Sequence, residues 1–341
     1  MFLPFFSRKK RFRFLPIIMS LFLLTTMTGC SGTAVNAEPI SRTEFKLNTV
    51  ITITLYDTAD TSLLDGCMQL CDQYELLFSR TNPNSELYQL NHGLLPRSGS
   101  GQLVSDETAE LITLALSYCE LSNGALDITI APVSSLWDFH AETPTVPDAA
   151  QLQEALSHVD YKKVSVSGNV ITFAEEQMAI DLGAVAKGYI TDRLREYLSE
   201  NGVKNAIINL GGNVYCMGTK DDGTPFRVGI QKPFAAQGEA LTTVSVQNAS
   251  VISSGTYERC FEADGTLYHH ILDPSTGYPC QNGLSGVTIL SSDSTTGDAL
   301  STACFLLGPE NGLTLIERIP DAEALFVTED NTLLYSSGFP H

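Results

Sequence analysis

Past a basic, apolar leader, the hydrophobic positions of this chain follow two periods in turn, one strand-like and one helical. Residues 50–56 alternate threonine with apolar side chains, the spacing of a strand with one buried face. Residues 62–78 and 106–121 repeat apolar residues every three or four positions and read as helices. Ser105 or Asp106 can cap the second, and Gly124 lies just past its end. A hairpin is expected over residues 164–173, turning at Ser167-Gly168-Asn169, and a helix over residues 187–201 that closes at Gly202. Short apolar runs predict strands at residues 206–210, 226–230, 241–246, 287–290 and 324–327, and helices at 298–307 and 312–319. Several strands follow one another with no helix between them. The pattern therefore predicts an α+β fold, a mixed sheet with packed helices, and not a doubly wound parallel sheet. The length suits one large domain or two small ones.

The leader changes what counts as the folded part. Arg8, Lys9, Lys10, Arg11 and Arg13 precede an apolar run from Phe14 to Leu24, and small residues lead to Cys30. A basic region, a short apolar region and small residues before a cysteine read as a bacterial lipoprotein signal, with Met27 where leucine is more usual, the alternatives being an ordinary cleaved signal or an uncleaved anchor. The run is too short to span a bilayer, which takes about 20 residues. Residues 1–29 are then a signal peptide, Cys30 the lipidated first residue, 30–40 a small polar tether and 41–341 one catalytic domain, anchored outside the cytoplasm.

Charge and cysteine content narrow the classes. The full chain carries −19, and because its first thirty residues hold five bases and no acid, the remainder carries −24. So acidic a body is not built to bind nucleic acid or anionic lipid by charge. Beside Cys30 stand seven cysteines with no CxxC pair and no nearby histidines, which argues against a zinc site and a full disulfide framework. Most read as small buried hydrophobes, with room for a disulfide or two.

Five segments could carry chemistry. Ser122-Asn123-Gly124-Ala125-Leu126-Asp127 reads either as a close approach to a ligand or as a helix C-cap followed by a strand. Asp181-Leu182-Gly183-Ala184-Val185-Ala186-Lys187-Gly188 opens a helix, where free N–H groups and a lysine suit phosphates; neither a Walker A loop nor a GxGxxG fingerprint is present. Asn209-Leu210-Gly211-Gly212-Asn213 offers a sharp turn or a close ligand approach. In the segment from Ser253 to Pro279, His270 and Asp273 could be a proton acceptor and its orienting carboxylate, although adjacent His269 and His270 must face opposite sides of a strand. Asp298 and Thr302, four apart on a helix, present oxygens suited to Mg²⁺, or serve as a cap and a buried threonine.

In this order these segments resemble the ApbE family of FAD:protein FMN transferases. The string D-L-G-A-V-A-K-G, N-L-G-G-N, S-S-G-T-Y, H-I-L-D-P-S-T-G-Y-P and G-D-A-L-S-T carries the resemblance from near Phe45 to the C-terminus. It implies a T-fold-like catalytic domain that binds FAD with Mg²⁺ at the pyrophosphate. A Thr or Ser hydroxyl of an acceptor protein, with a short flavinylation motif in a membrane redox complex, takes up FMN and AMP leaves. It further implies FAD contacts from Leu47, Ala125, Leu126, Asp127, Asp181, Lys187 and Leu272. Mg²⁺ is implied at the Ala184 carbonyl, Asp298 and Thr302, with His270 as base and Asp273 orienting it or its loop. The chain departs from the family in having Leu47-Asn48-Thr49 for Met-Gly-Thr, and Ser301 where many relatives have an acid. Two further functions fit the same residues: an Mg²⁺-dependent FAD pyrophosphatase, and a non-catalytic FAD-binding lipoprotein.

Overall fold

A computed structural model describes residues 38–139 and 141–340. Cys30, the leader and most of the tether lie outside the described residues.

Strands β1 (Ile40–Lys46) and β2 (Thr49–Leu55) form a hairpin closed by Leu47 and Asn48, both at positive φ (53° and 55°). β2 keeps the alternation read from sequence: Ile51, Ile53 and Leu55 are fully buried while Thr52 and Thr54 stay half-buried. Helix α1 (Ser62–Phe78) turns Leu64, Cys67, Cys71, Tyr74 and Phe78 inward at helical spacing. After α2 (Glu86–Asn91), β3 (Arg97–Ser98) and β4 (Gly101–Leu103) comes α3 (Asp106–Leu121), which is capped by the Ser105 hydroxyl accepting from Thr108 N–H.

Residues 128–131, readable as a strand, instead form a 3₁₀ turn (Ile128–Ile130) and the short α4 (Ala131–Ser134). The Asp127 carboxylate causes this by accepting from both Thr129 N–H (2.8 Å) and the Thr129 hydroxyl (2.6 Å), and Pro132 fits a first helical turn. Helix α5 (Ala149–Leu156) and the expected hairpin, β5 (Val164–Ser167) with β6 (Val170–Phe173), lead to α6 (Ala186–Glu200).

The remaining elements are mostly strands. β7 (Ala206–Leu210), β8 (Asn213–Met217), β9 (Phe226–Gln231), β10 (Ala240–Val246), β11 (Ala249–Gly255), β12 (Cys260–Ala263), β13 (Thr266–His269) and β14 (Leu284–Ser291) precede α7 (Ser294–Ile316), then β15 (Ala322–Thr328) and β16 (Leu333–Tyr335). Helix α7 is interrupted at Gly308 (φ 76°), ahead of Pro309, which is why the sequence reads as two helices there.

Eight strands make one sheet in the order β1-β2-β7-β8-β11-β14-β15-β16, antiparallel throughout. The α+β expectation holds. One face packs on α1, α3, α6 and α7. On the other, the β9–β10 hairpin sets Phe226, Ile230, Val244 and Val246 against Cys216, Val251 and Leu325. The seven described cysteines are unpaired, and all but Cys260 are buried. Among the described residues no helix is long and apolar enough to cross a membrane.

Helices α6 and α7 cap each other where they cross. α6 lacks a side-chain cap of its own; the Asp298 carboxylate, reaching from α7, accepts Gly188 N–H at 2.8 Å. In return, Asp192 of α6 accepts from Ser294 N–H (3.1 Å), Thr295 N–H (2.8 Å) and the Thr295 hydroxyl (2.7 Å) at the start of α7. Contact this close requires glycine: a Cβ on Gly188 would sit 2.3 Å from Ser294 O and 2.7 Å from Asp298 Cβ.

Candidate active site

A cavity of about 1190 Å³ opens between the β1–β2 turn, the end of α1, the start of α6, the β7–β8 turn and β9. That exceeds the roughly 300–1,000 Å³ of ordinary small-molecule pockets and gives room for a dinucleotide. Tyr74, Phe78 and Tyr257 supply flat aromatic wall. The two-residue turn Gly211-Gly212 (φ 62° and 99°) brings backbone to the cavity, and a Cβ on Gly211 would lie 2.2 Å from Thr49 Oγ1. Both readings of the paired glycines, sharp turn and open approach, therefore apply.

Of the residues singled out from sequence, Leu47, Asp181 and Lys187 line this cavity together. Leu47 N–H is held by Glu75 Oε2 at 3.2 Å, which fixes the turn despite its unusual φ. Asp181 is held on three sides: Oδ2 accepts from Arg80 Nε (3.1 Å) and Ser134 Oγ (3.0 Å), and Oδ1 from Gly183 N–H (2.9 Å). Ala184 lies in the turn between Asp181 and α6. Lys187 Nζ donates to Asn213 Oδ1 at 3.1 Å and, among the described residues, has no carboxylate partner within ion-pair distance.

Behind Lys187 stands Asp298, buried, its carboxyl pushed up by burial and drawn back by Lys187, Gly188 N–H and Asn213. Asn213 Nδ2 is buried without a partner in hydrogen-bond geometry, yet near enough to favour the charged carboxylate. One sequence expectation changes here. At the head of α6 Ala186 N–H is taken by Leu182 O (2.9 Å) and Gly188 N–H by Asp298 (2.8 Å), so neither is a free donor for an anion. Positive charge reaches the cavity through side chains: Lys187 and Arg259, beside Lys46 and Arg80, which are paired with Asp72 and Asp181.

Thr302, one turn beyond Asp298, has its hydroxyl 3.4 Å from Ser254 Oγ, and Ser301 stands 2.8 Å from the same oxygen. Among the described residues no three His, Cys, Asp or Glu side chains gather as a metal site. Any cation here would rest on one carboxylate, a hydroxyl and a carbonyl, an all-oxygen set that fits Mg²⁺ completed by water and phosphate and does not fit zinc.

The adjacent histidines divide as strand geometry requires. His269 is the core residue, its Nε2 bonded to Cys280 O at 3.0 Å. His270 faces the other way, towards Lys187 and Arg259, with its backbone N–H on Arg259 O (3.1 Å) and Nδ1 buried without a partner. Burial first, then Arg259, His269 and Lys187, hold its ring down to about 3, so it is neutral at physiological pH. Glu258 lines the cavity and its side chain is solvent-accessible there. Burial pushes it up, while Lys187 and Arg259 pull it down.

Other expected residues lie elsewhere. Leu126 is in the main core, and Leu272 packs with Trp137 and Val133. Ala125, Asp127 and Asp273 border a second cavity of about 670 Å³. Asp127 spends its second oxygen on Tyr161 N–H (3.0 Å), and Ile128 O takes Asp181 N–H (2.7 Å), so this segment backs the Asp181 loop. Asp273 accepts from Ser275 N–H (2.8 Å) and Oγ (2.7 Å), which orients its loop; no hydrogen bond joins it to His270. Sequence reasoning passed over Arg80 as a partner of Asp181, Asn213 as the link from Lys187 to Asp298, and the charged pair Glu258-Arg259. The last had a visible signal, two opposite charges directly after S-S-G-T-Y.

The sequence model of the ApbE family matches residues 47–326. An FAD:protein FMN transferase of Treponema pallidum is 32% identical over 336 residues, covering 93% of this chain and 91% of its own. Another, from Klebsiella pneumoniae, is 36% identical over 282 residues, 82% of this chain and 86% of its own. The crystal structure of the ApbE protein from Thermotoga maritima aligns with a TM-score of 0.79 at 32% identity, covering 88% of this chain and 97% of that one.

Proposed function

The chain belongs to the ApbE family and is a flavin-transferring enzyme, and from that premise we propose its reaction in detail. The hydroxyl of a Ser or Thr on an acceptor protein attacks the FMN phosphorus of FAD. A new P–O bond forms, the pyrophosphate P–O bond to AMP breaks, and the hydroxyl proton passes to the enzyme. The observation that carries this reading is the charge arrangement behind the cavity wall: Lys187 against buried Asp298, with neutral His270 beside them.

Each residue has a task that its surroundings dictate. Lys187 and Arg259, which among the described residues make no ion pair within 4.0 Å although Asp298 and Glu258 stand near them, take the negative diphosphate. Those same two cations help to hold His270 down, so phosphate bound against them raises its basicity when a base is needed. His270 then takes the hydroxyl proton. Asp298, the Thr302 hydroxyl and the Ala184 carbonyl are the residues that would hold Mg²⁺, which when bound neutralises charge on the phosphates. The leader ending at Cys30 supports export and lipid attachment at the outer face of the membrane; Cys30→Ala should release the protein from membranes or leave it unprocessed.

The test is incubation of the purified chain with FAD, Mg²⁺ and candidate envelope proteins, followed by intact mass. An acceptor that gains FMN on a Ser or Thr supports transfer. Free FMN and AMP beside unmodified proteins would mean hydrolysis instead.

A further inference from the structure

One edge of β9 is open. β9 pairs with β10 alone, and among the described residues no other backbone takes up the groups on its far side. Val228 packs towards the core shared with the main sheet, whereas Gly229 and Gln231 lie on the other face. All three line the large cavity, and no residue of β10 does. A cavity bordered by both faces of one strand and by nothing of its neighbour runs along that strand's edge. Such edges template further strands, and proteins usually blunt them with proline, a covering element or charge. Here the centre of the edge is a glycine.

Exposed aromatics flank it. Phe234, just past β9, is 61% exposed and leans on Tyr257 of the cavity wall, ring centres 6.0 Å apart. On the β1–β2 hairpin, which also borders the cavity, Phe45 is 70% exposed and its cross-strand partner Val50 56%.

We propose that the Ser- or Thr-bearing segment of the acceptor protein docks in extended form along β9, as a third strand of the β9–β10 sheet, with apolar side chains against Phe234 and Phe45. This rests on the transferase reading. Lys187 lines the same cavity as the edge of β9, so a segment extended along that edge runs beside it. Side chains of a strand alternate, so one hydroxyl points inward while its neighbours point to the rim. Main-chain hydrogen bonds supply affinity with little regard to sequence, and the rim selects.

The probe is a set of short synthetic peptides, each with one threonine among varied neighbours, incubated with the full chain, FAD and Mg²⁺ and read by flavin fluorescence. Peptides that label are remade with an N-methyl group walked along the backbone. Methylation at alternate positions should cut labelling at least about tenfold, with the positions between tolerated; tenfold is the effect of 1.4 kcal/mol. Phe234→Asp, outside the residues that line the cavity, should raise the peptide KM about tenfold while leaving the FAD Kd unchanged. Labelling indifferent to N-methylation, or lost equally at every position, overturns strand addition. If folded acceptors take up flavin and no peptide does, the docking proposal fails and the transferase reading stands. If neither does, both fail.

Discussion

The crossing of α6 and α7 and the hairpins at the cavity rim are built in opposite ways. At the crossing each helix caps the other, Asp298 on Gly188 and Asp192 on Ser294 and Thr295, and Gly188 leaves no spare space. At the rim, β1–β2 and β9–β10 offer open edges, exposed Phe45 and Phe234, and turns whose residues take positive φ. The groups proposed to handle phosphate charge and protons need fixed geometry, and Lys187 and Asp298 are set on the two helices that cap each other. The groups proposed to meet a protein need accessible surface, and they sit at edges. Substitutions should therefore act differently in the two places.

The largest effect is expected at His270. His270→Ala should slow single-turnover transfer by about 10²–10⁴-fold, the usual worth of a positioned base, with FAD affinity little changed. A parallel loss of affinity would make it a packing residue. Next comes Asp298→Asn, which keeps an oxygen for Gly188 N–H but removes the charge. Transfer should fall by about 10²–10³-fold, the range for losing one fixed electrostatic group, while the melting temperature stays near the parent's.

Gly188→Ala forces a Cβ against Ser294 O and should cost about 1–3 kcal/mol, read by denaturant unfolding. The pH dependence of stability is a subtler probe. His270 is held down to about 3 in the fold, while an unfolded histidine titrates near 6.5. As pH falls the unfolded chain binds the proton first. The stability that the neutral ring gives is full above about 6.5 and is lost towards 3. Asp192, pushed up to about 6 by burial and by Asp293, has the opposite slope, so the parent is best compared with a variant. Between about pH 7 and 4.5, His270→Ala should lose less melting temperature than the parent. At the rim, Asn48→Gly suits the positive φ already present and should shift stability by less than about 1 kcal/mol.

The helices were readable from periodicity because each buries one face on the sheet. Predicted residues 62–78 and 106–121 coincide with α1 and α3, and 187–201 lies one residue from α6. The strands of low contrast were not. β1 has no fully buried side chain, and β8 follows β7 after only two glycines, so neither stands out as a separate run. The β12–β13 hairpin carries an Asp264-Gly265 turn, a signal present in the sequence but passed over. At the site, Asp181 and Lys187 were legible because a glycine-rich helix start draws attention to charge, and Asp298 through its helical spacing from Thr302. Asn213 and Arg259 were not, because their roles come from contacts with residues elsewhere in the chain, Lys187 and Asp298 for the one and His270 for the other. Nor does order along the chain show that Ala125, Asp127 and Asp273 border a different cavity from Lys187.

The site is proposed to pass FMN to a protein hydroxyl and not to water. Counting AMP released against acceptor modified in one turnover tests it most directly. Equal amounts of AMP and flavinylated acceptor are expected, with AMP release that depends on the acceptor being present. AMP released at the same rate without acceptor, matched by free FMN, would contradict it.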